Sequence, residues 1–255
     1  MPRFAANLSM MFNEWDFLDR FNAAAEAGFD AVEFLFPYEH APDAIAERLQ
    51  RHRLTQALFN CPPGDWAKGE RGIASLKGRE DEFKASIDKA LIYAEATGVK
   101  RLHVMSGLSD RHDPDAQKTY RASIIYACEQ AALKGLDIVI EPINGRDMPG
   151  YFLNNFDFAA ALIKELALPN LKLQYDIYHR QILHGDVMKS LEQLMPMIGH
   201  IQIAAVPLRH EPTTGELDDA KVLHHLDDLN YSGFVGLEYR PQGKTIDGLT
   251  WLSKI

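Results

Sequence analysis

LKLQYDIYH, residues 171–179, begins as a buried strand and ends in chemistry. Leu171 and Leu173 share one face and Lys172 and Gln174 the other, the period-two alternation of a pleated strand. The run closes on a carboxylate, Asp176, with an imidazole three residues on at His179. An ionised carboxylate at the end of a core strand is costly unless a proton, a cation or a metal partners it. The stretch therefore predicts both a strand and a partner for Asp176.

Runs of the same kind recur along the whole chain. RFAANL (3–8), AVEFLF (31–36), TQALFN (55–60), RLHVMS (101–106), DIVIEPI (137–143), HIQIA (200–204) and FVGLEY (234–239) join LKLQYD (171–176) as strand candidates. Segments with helical periodicity lie between them, near 15–27, 41–52, 80–97, 114–135, 155–167, 186–197, 218–229 and 245–253. Asp16 or Asn13 is placed to cap the first, Gly28 follows it, and Gly98 and Gly135 follow the third and fourth. Strands alternating with helices predict parallel βαβ units. Eight such units in 255 residues match an α/β fold of the (β/α)8 TIM barrel type in count and size, as one domain over 1–255. A doubly wound open sheet is the rival, but no G-x-G-x-x-G follows the first strand. NCPPGDWAKGERGIASLKGRE (60–80) is a long Gly-rich connection, either a lid carrying Trp66, Glu70 and Arg71 or an extended surface loop. Phe34, Phe36, Phe59, Trp15 and Phe152 read as packing residues, as do Phe83, Ile87, Leu91 and Tyr93.

Composition narrows the function. The chain is 46% hydrophobic and 25% charged, ordinary for a soluble globular protein. No apolar run approaches the roughly 20 residues that span a bilayer, and MPRFAANLSMM is a poor secretory signal. Cys61 and Cys128 are too few for a disulfide framework; they read as structural thiols in a cytoplasmic protein. A net charge of -9 argues against general nucleic-acid binding, which needs a basic face. It leaves room for a small anionic substrate, since a local Arg or metal can override the global field. Oligomeric state is not legible.

Residues at the carboxyl ends of barrel strands face the active-site mouth. Strand five leads into Glu141, strand six into Asp176, strand seven carries Gln202 and strand eight Glu238, at spacings of 35, 26 and 36 residues. That is one βα unit each, so four oxygen-bearing side chains converge from adjacent strands. Gly236, on the same face as Glu238, leaves room against the strand. Three crowded carboxylates repel unless a cation neutralises them. With an amide oxygen they form a hard site suited to Mg2+ or Mn2+ rather than zinc. The alternative is that each acid caps a following helix or pairs with a nearby Arg or Lys. His179 fits the turn after strand six and resembles the substrate-binding His of DxxH motifs in barrel relatives, with a surface or helix-cap histidine as the alternative. Arg209, in the loop after strand seven, is placed to hold a substrate carboxylate bidentately, or else to pair with Glu211 or Glu216. His210 is a weaker candidate; Glu33 and His103 read as satisfied interior polar residues.

GFDAVEFLFPYE, GDWAKGERGIASLKGREDEF, IEPINGRDMPGYFL, QYDIYH, HIQIA, PLRHEPTTGE and LEYRP together resemble the hydroxypyruvate isomerase family of xylose isomerase-like barrels. The resemblance runs from ANLSMMF to the last strand, and RDMPGYFLN and VPLRHEPTTGEL bring it nearest the 2-oxo-tetronate isomerase branch. It implies a (β/α)8 barrel and metal-assisted movement of a carbonyl along a short hydroxy-acid. It places the acid/base pair on Glu141 and Glu238, and the metal on Glu141, Asp176, Gln202 and Glu238. Related epimerases carry His where this chain has Gln202, which weakens that analogy. The expected reaction interconverts 2-oxo-tetronate and 3-oxo-tetronate, with hydroxypyruvate to tartronate semialdehyde as the alternative. Two other classes share the architecture. Abasic-DNA nucleases need several metal-binding His residues and a basic groove, which this chain lacks; a non-catalytic binding barrel would take up metal without exchanging substrate protons.

Overall fold

The computed structural model describes residues 2–255. Eight strands, β1 (Arg3–Asn7), β2 (Ala31–Phe34), β3 (Thr55–Asn60), β4 (Arg101–His103), β5 (Asp137–Ile140), β6 (Leu171–Asp176), β7 (Ile198–Ile203) and β8 (Phe234–Leu237), pair in sequence order. Every pairing is parallel, and β8 returns to β1 to close the barrel. The helices are α1 (Arg20–Glu26), α2 (Pro42–His52), α3 (Glu80–Thr97), α4 (Pro114–Ala132), α5 (Phe156–Leu166), α6 (Ile177–Leu183), α7 (Val187–Leu194), α8 (Asp219–Asp228) and α9 (Thr245–Gly248). None of the described helices is long and apolar enough to cross a membrane.

Local chemistry sets the boundaries. Asp113 accepts from the Asp115 amide and Pro114 takes the first turn of α4, where a missing N–H costs nothing. Asn155 caps α5 through the Phe158 amide at 2.8 Å. Gly98 ends α3 in the left-handed region, at φ 71°. Asp16 precedes the first helical turn as expected, but its side chain makes no capping bond.

The last strands sort their residues by face. Ile138, Ile140, Leu171, Leu173, Tyr175, Ile201, Ile203, Val235 and Leu237 point outward and join one apolar cluster beneath the helices. Fully burying each such side chain stabilises by roughly 1.5–3 kcal/mol, which lets the opposite face be polar. Gln174, Asp176, His200, Gln202 and Glu238 lie on that inner face and are buried. Register lines them up: Asp176 pairs with Gln202, and Gln202 with Gly236. Cys61 and Cys128 are free and buried, as expected of structural thiols. Trp15 departs from its expected packing role; it is 57% exposed.

Residues 60–80 lie against the barrel mouth and are pinned there. The Gly72 amide donates to Pro63 O at 2.8 Å, and Ser75 N to Ser106 O at 2.7 Å. Gly72 sits at φ 104°, with its α-carbon so close to the Met105 backbone that any side chain would collide.

Candidate active site

Glu141 follows β5, Asp176 ends β6 and His179 lies in the first turn of α6; their ligand atoms all fall within 4.8 Å of one another. His179 Nε2 stands 3.6 Å from Asp176 Oδ2 and 3.9 Å from Glu141 Oε1. His103, at the end of β4, approaches Glu141 Oε2 at 3.7 Å. Asp176 divides its two oxygens. Oδ1 caps α6, accepting from Tyr178 N at 2.8 Å, while Oδ2 has no hydrogen-bond partner. Glu141 Oε1 and both ring nitrogens of His103 are buried and equally unpartnered. The alternative of capping or pairing thus holds in part: Asp176 Oδ1 caps α6, and Arg209 faces Glu238 Oε2 at 3.2 Å and Asp176 Oδ2 at 3.6 Å, which leaves Glu141 Oε1 without either.

Burial and crowding shift these groups. Burial, then the charges of Glu238 and Asp176, push the Glu141 carboxyl well above its ordinary range. Burial raises Asp176 to about 6 and Glu238 to about 8, against the opposing pull of Arg209. Burial drives His103 down to about 3 and His179 well below its usual value, so both rings are neutral. Carboxyls held up in this way, Glu141 and Glu238 above all, would lose their protons to solvent on binding a divalent cation.

His179 has a determined tautomer. Asn144 Oδ1 accepts from the backbone N–H groups of Arg146 and Asp147 at 2.9 and 3.0 Å, which orients its carboxamide. The Asn144 NH2 therefore faces His179 Nδ1, 2.6 Å away, and the Asn144 backbone N–H points to the same nitrogen at 3.4 Å. With Nδ1 accepting, the neutral ring carries its hydrogen on Nε2. His179 thus offers the cleft a donor rather than a lone pair, which suits a substrate-binding group and not a metal ligand.

Gln202 is aimed by a different carboxylate. Glu33 Oε1 accepts from Gln202 Nε2 at 2.8 Å and from Asn7 Nδ2 at 3.0 Å, and Glu33 Oε2 meets His200 Nε2 at 2.6 Å. A carboxylate can only accept here, so the Gln202 amide nitrogen is committed and its oxygen turns the other way. That oxygen takes one bond from Gln174 Nε2 at 2.6 Å and keeps a second lone pair. The space left by Gly236 is filled by Glu33, whose carboxylate a side chain at 236 would strike.

Arg209 enters the site, but its guanidinium already faces three carboxylates. Nη1 lies 3.1 Å from Asp147 Oδ2, and Nη2 lies 3.2 Å from Glu238 Oε2 and 3.6 Å from Asp176 Oδ2. With Nε also 3.4 Å from Glu238 O, every edge of the guanidinium that a bidentate clamp would use is turned to the protein, while Glu211 and Glu216 are not its partners. His210 is tied to the backbone, with Nδ1 2.8 Å from Arg240 O. Glu238 lies outside the Glu141–Asp176–His179 cluster, with Arg209 between it and Asp176. Spacing marks none of Asn144, Asp147 and Arg240, and the sequence points to Arg71 only as a lid residue; INGRD after strand five is the signal for the first two. A cleft of about 210 Å3 opens over the cluster, lined among others by Glu141, His179, Arg209, Glu238, Arg71 and Arg240.

The model of the xylose isomerase-like TIM barrel family matches residues 21–255. The chain belongs to that family. It is 54% identical over 254 residues to the 2-oxo-tetronate isomerase of Cupriavidus necator, covering 99% of this chain and 98% of that protein. It is 41% identical over 254 residues to the hydroxypyruvate isomerase of Escherichia coli K12, covering 99% and 98%. Among solved structures of the family, one described as AP endonuclease, family 2 from Brucella melitensis superposes with a TM-score of 0.97 at 49% identity, covering 100% of this chain and 99% of that one.

Proposed function

We propose that this xylose isomerase-like barrel is an intramolecular oxidoreductase that interconverts 2-oxo-tetronate and 3-oxo-tetronate. The observation carrying the reading is the pair of carboxylate oxygens without a hydrogen bond, Glu141 Oε1 and Asp176 Oδ2, buried beneath a small cleft that Glu238 also lines. A volume of about 210 Å3 is below the roughly 300–1,000 Å3 of drug-sized pockets and suits a three- or four-carbon acid. The similarity to a named 2-oxo-tetronate isomerase over nearly the whole chain supports the same substrate class.

The donor set fits a hard divalent cation. Glu141, Asp176, Gln202 and Glu238 would hold Mg2+ or Mn2+, with the Gln202 oxygen presented by Glu33. When bound, such an ion acts as a Lewis acid toward a carbonyl and its neighbouring hydroxyl. The rest falls to the chain. One glutamate of the Glu141/Glu238 pair removes the C3 proton of the 2-oxo acid, leaving an enediolate. The other returns a proton to C2, while the hydroxyl proton passes from the C3 oxygen to the C2 oxygen. General-base help of this kind contributes roughly 10^2–10^4 in rate. The two glutamates stand on β5 and β8 with β6 and β7 between them, which suits work on opposite sides of a substrate. His179, neutral and carrying its hydrogen on Nε2, donates to a substrate oxygen without competing for the metal.

Hydroxypyruvate is the second substrate to test, since the E. coli relative is named for it. Abasic DNA is the third, given the Brucella structure's description. A net charge of -9 and a cleft too small for an extruded nucleotide argue against it. The test is turnover of both acids side by side, with and without EDTA, and incubation with an abasic duplex. Turnover abolished by EDTA and restored by Mg2+ or Mn2+, with the larger kcat/KM for 2-oxo-tetronate, is expected. Inertness toward both acids, or strand cleavage at the abasic site, would overturn the proposal.

A further inference from the structure

The cleft must hold a carboxylate, yet the arginine nearest its floor is spoken for. Counting Glu141, Asp176, Glu238 and Asp147 against Arg209 and a divalent ion leaves no positive charge over, and so no spare cation for the substrate's acid group. Two other guanidiniums line the same cleft, Arg71 and Arg240.

Arg71 has an unusual setting. Its neighbour Glu70 is drawn away by Arg79, with paired contacts at 2.7 and 3.1 Å, and accepts from the Asp65 amide at 2.5 Å. Arg71 itself meets no carboxylate among the described residues. Its Nη1 donates to Glu70 O at 2.7 Å and Trp66 O at 3.2 Å, and its guanidinium lies 3.8 Å over the Trp66 ring. Trp66 in turn packs on Phe36, with ring centroids 5.0 Å apart. The guanidinium plane is therefore fixed by stacking and by one nitrogen, while Nε and Nη2 form an edge with no hydrogen-bond partner among the described residues. That edge is the side-on face that receives a carboxylate bidentately. Ordering is already supplied by the bond network at 63–75, so little side-chain entropy is lost on binding.

We infer that Arg71 is the residue that binds the substrate's carboxylate, so the cleft selects an oxo-acid over the neutral sugar of the same length. The assignment rests on the oxo-acid reading of the site and names the group that enforces it. Arg209, by contrast, positions Asp176 and Glu238.

The test compares wild type, R71A, R71K and R240A, with thermal unfolding to confirm folding. Two measurements are made: kinetics on 2-oxo-tetronate, and calorimetric binding of tartronate, a small hydroxy-dicarboxylate that cannot isomerise, in the presence of Mg2+. R71A is expected to raise KM and weaken tartronate binding by on the order of 10- to 100-fold, the value of a charge-assisted pair, with kcat changed far less. R71K is expected to restore only part, because an ammonium cannot form the two-pronged contact, and R240A to act less than R71A. Competition by erythrulose, in which CH2OH replaces the carboxylate, should be unaffected in R71A. Unchanged KM and tartronate affinity in R71A, or a larger loss in R240A, would overturn the assignment. Should wild type bind tartronate through Arg71 yet turn over neither oxo-acid, the isomerase reading fails and the anion site stands.

Discussion

Glu33 and Glu141 are both buried glutamates on inner faces of one barrel, yet their surroundings differ. Glu33 has each oxygen engaged, by Asn7, Gln202 and His200. Glu141 keeps one oxygen without a hydrogen bond, with neutral His103 and His179 at 3.7 and 3.9 Å and the like charges of Glu238 and Asp176 close by. Buried polar groups in folded proteins are nearly all hydrogen-bonded, so an orphaned one calls for an explanation. Satisfaction marks Glu33 as part of the frame; its lack is the ground on which we propose that Glu141 belongs to a site completed by a ligand. The frame also serves the site, since Glu33 takes the Gln202 amide nitrogen and leaves its oxygen toward Gln174.

The widest separation between the two carboxylates should appear on substitution. E141Q and E238Q should lower kcat by about 10^2–10^4, while E141Q leaves the metal-free fold as stable or more so, because it removes a carboxyl that burial already keeps protonated. E33A should instead destabilise by about 1–3 kcal/mol, leaving the donors of Asn7, His200 and Gln202 unmet. Thermal unfolding and turnover on the same variants check both halves; equal loss of stability in E33A and E141Q would dissolve the contrast.

Next in size is a dependence on pH. In the metal-free protein Glu238 titrates near 8 and Glu141 higher than usual, so above the unfolded carboxylate range the folded state holds protons that the unfolded state has released. Stability then falls as pH rises. Neutral burial of His103 and His179 acts in the opposite sense below about pH 6.5, their unfolded value, where the unfolded state gains protons. The clean window is about pH 6.5 to 8, in which metal-free Tm should drop with rising pH and saturating Mg2+ should flatten the slope. A metal-free Tm that rises across that window would contradict the crowded-carboxyl account.

N144D sharpens the comparison on the histidine side. An aspartate still accepts from the Arg146 and Asp147 amides but turns an acceptor toward His179 Nδ1 in place of the amide donor, which outweighs the long backbone N–H contact at 3.4 Å, so the hydrogen should move to Nδ1. The ring-nitrogen 15N shifts of His179 should exchange their protonated and unprotonated positions, with kcat/KM reduced on the order of tenfold, about the value of one hydrogen bond. Unmoved 15N shifts would sink the tautomer assignment. The smallest effect is expected from G236A, whose new methyl group strikes the Glu33 carboxylate; about 1–3 kcal/mol of stability should be lost, and an unchanged Tm would show that Glu33 can yield.

Most of the frame was legible because period-two runs such as DIVI and FVGL stand between long helical segments, and their ends carried the acids. α6 was missed because IYHRQIL begins directly after Asp176, with no loop to announce it and only seven residues to show a period. β7 starts at Ile198 rather than His200, since Gly199 hides the alternation. Spacing located Glu141, Asp176, Gln202 and Glu238 on their strand ends but could not say which oxygens would find partners. Nor could it show that Glu33 fills the space at Gly236, or that Arg209 faces Asp147, Asp176 and Glu238 at once. Those facts depend on side chains brought together from 33, 147 and 209, far apart in the chain.

The central claim concerns the oxygens of Glu141 and Asp176, and Mn2+ titration of the metal-free protein followed by EPR tests it most directly. One Mn2+ per chain is expected to bind wild type and R71A alike, with affinity lost in E141Q and D176N. Absence of a stoichiometric site in wild type, or binding unchanged in both E141Q and D176N, would contradict the account.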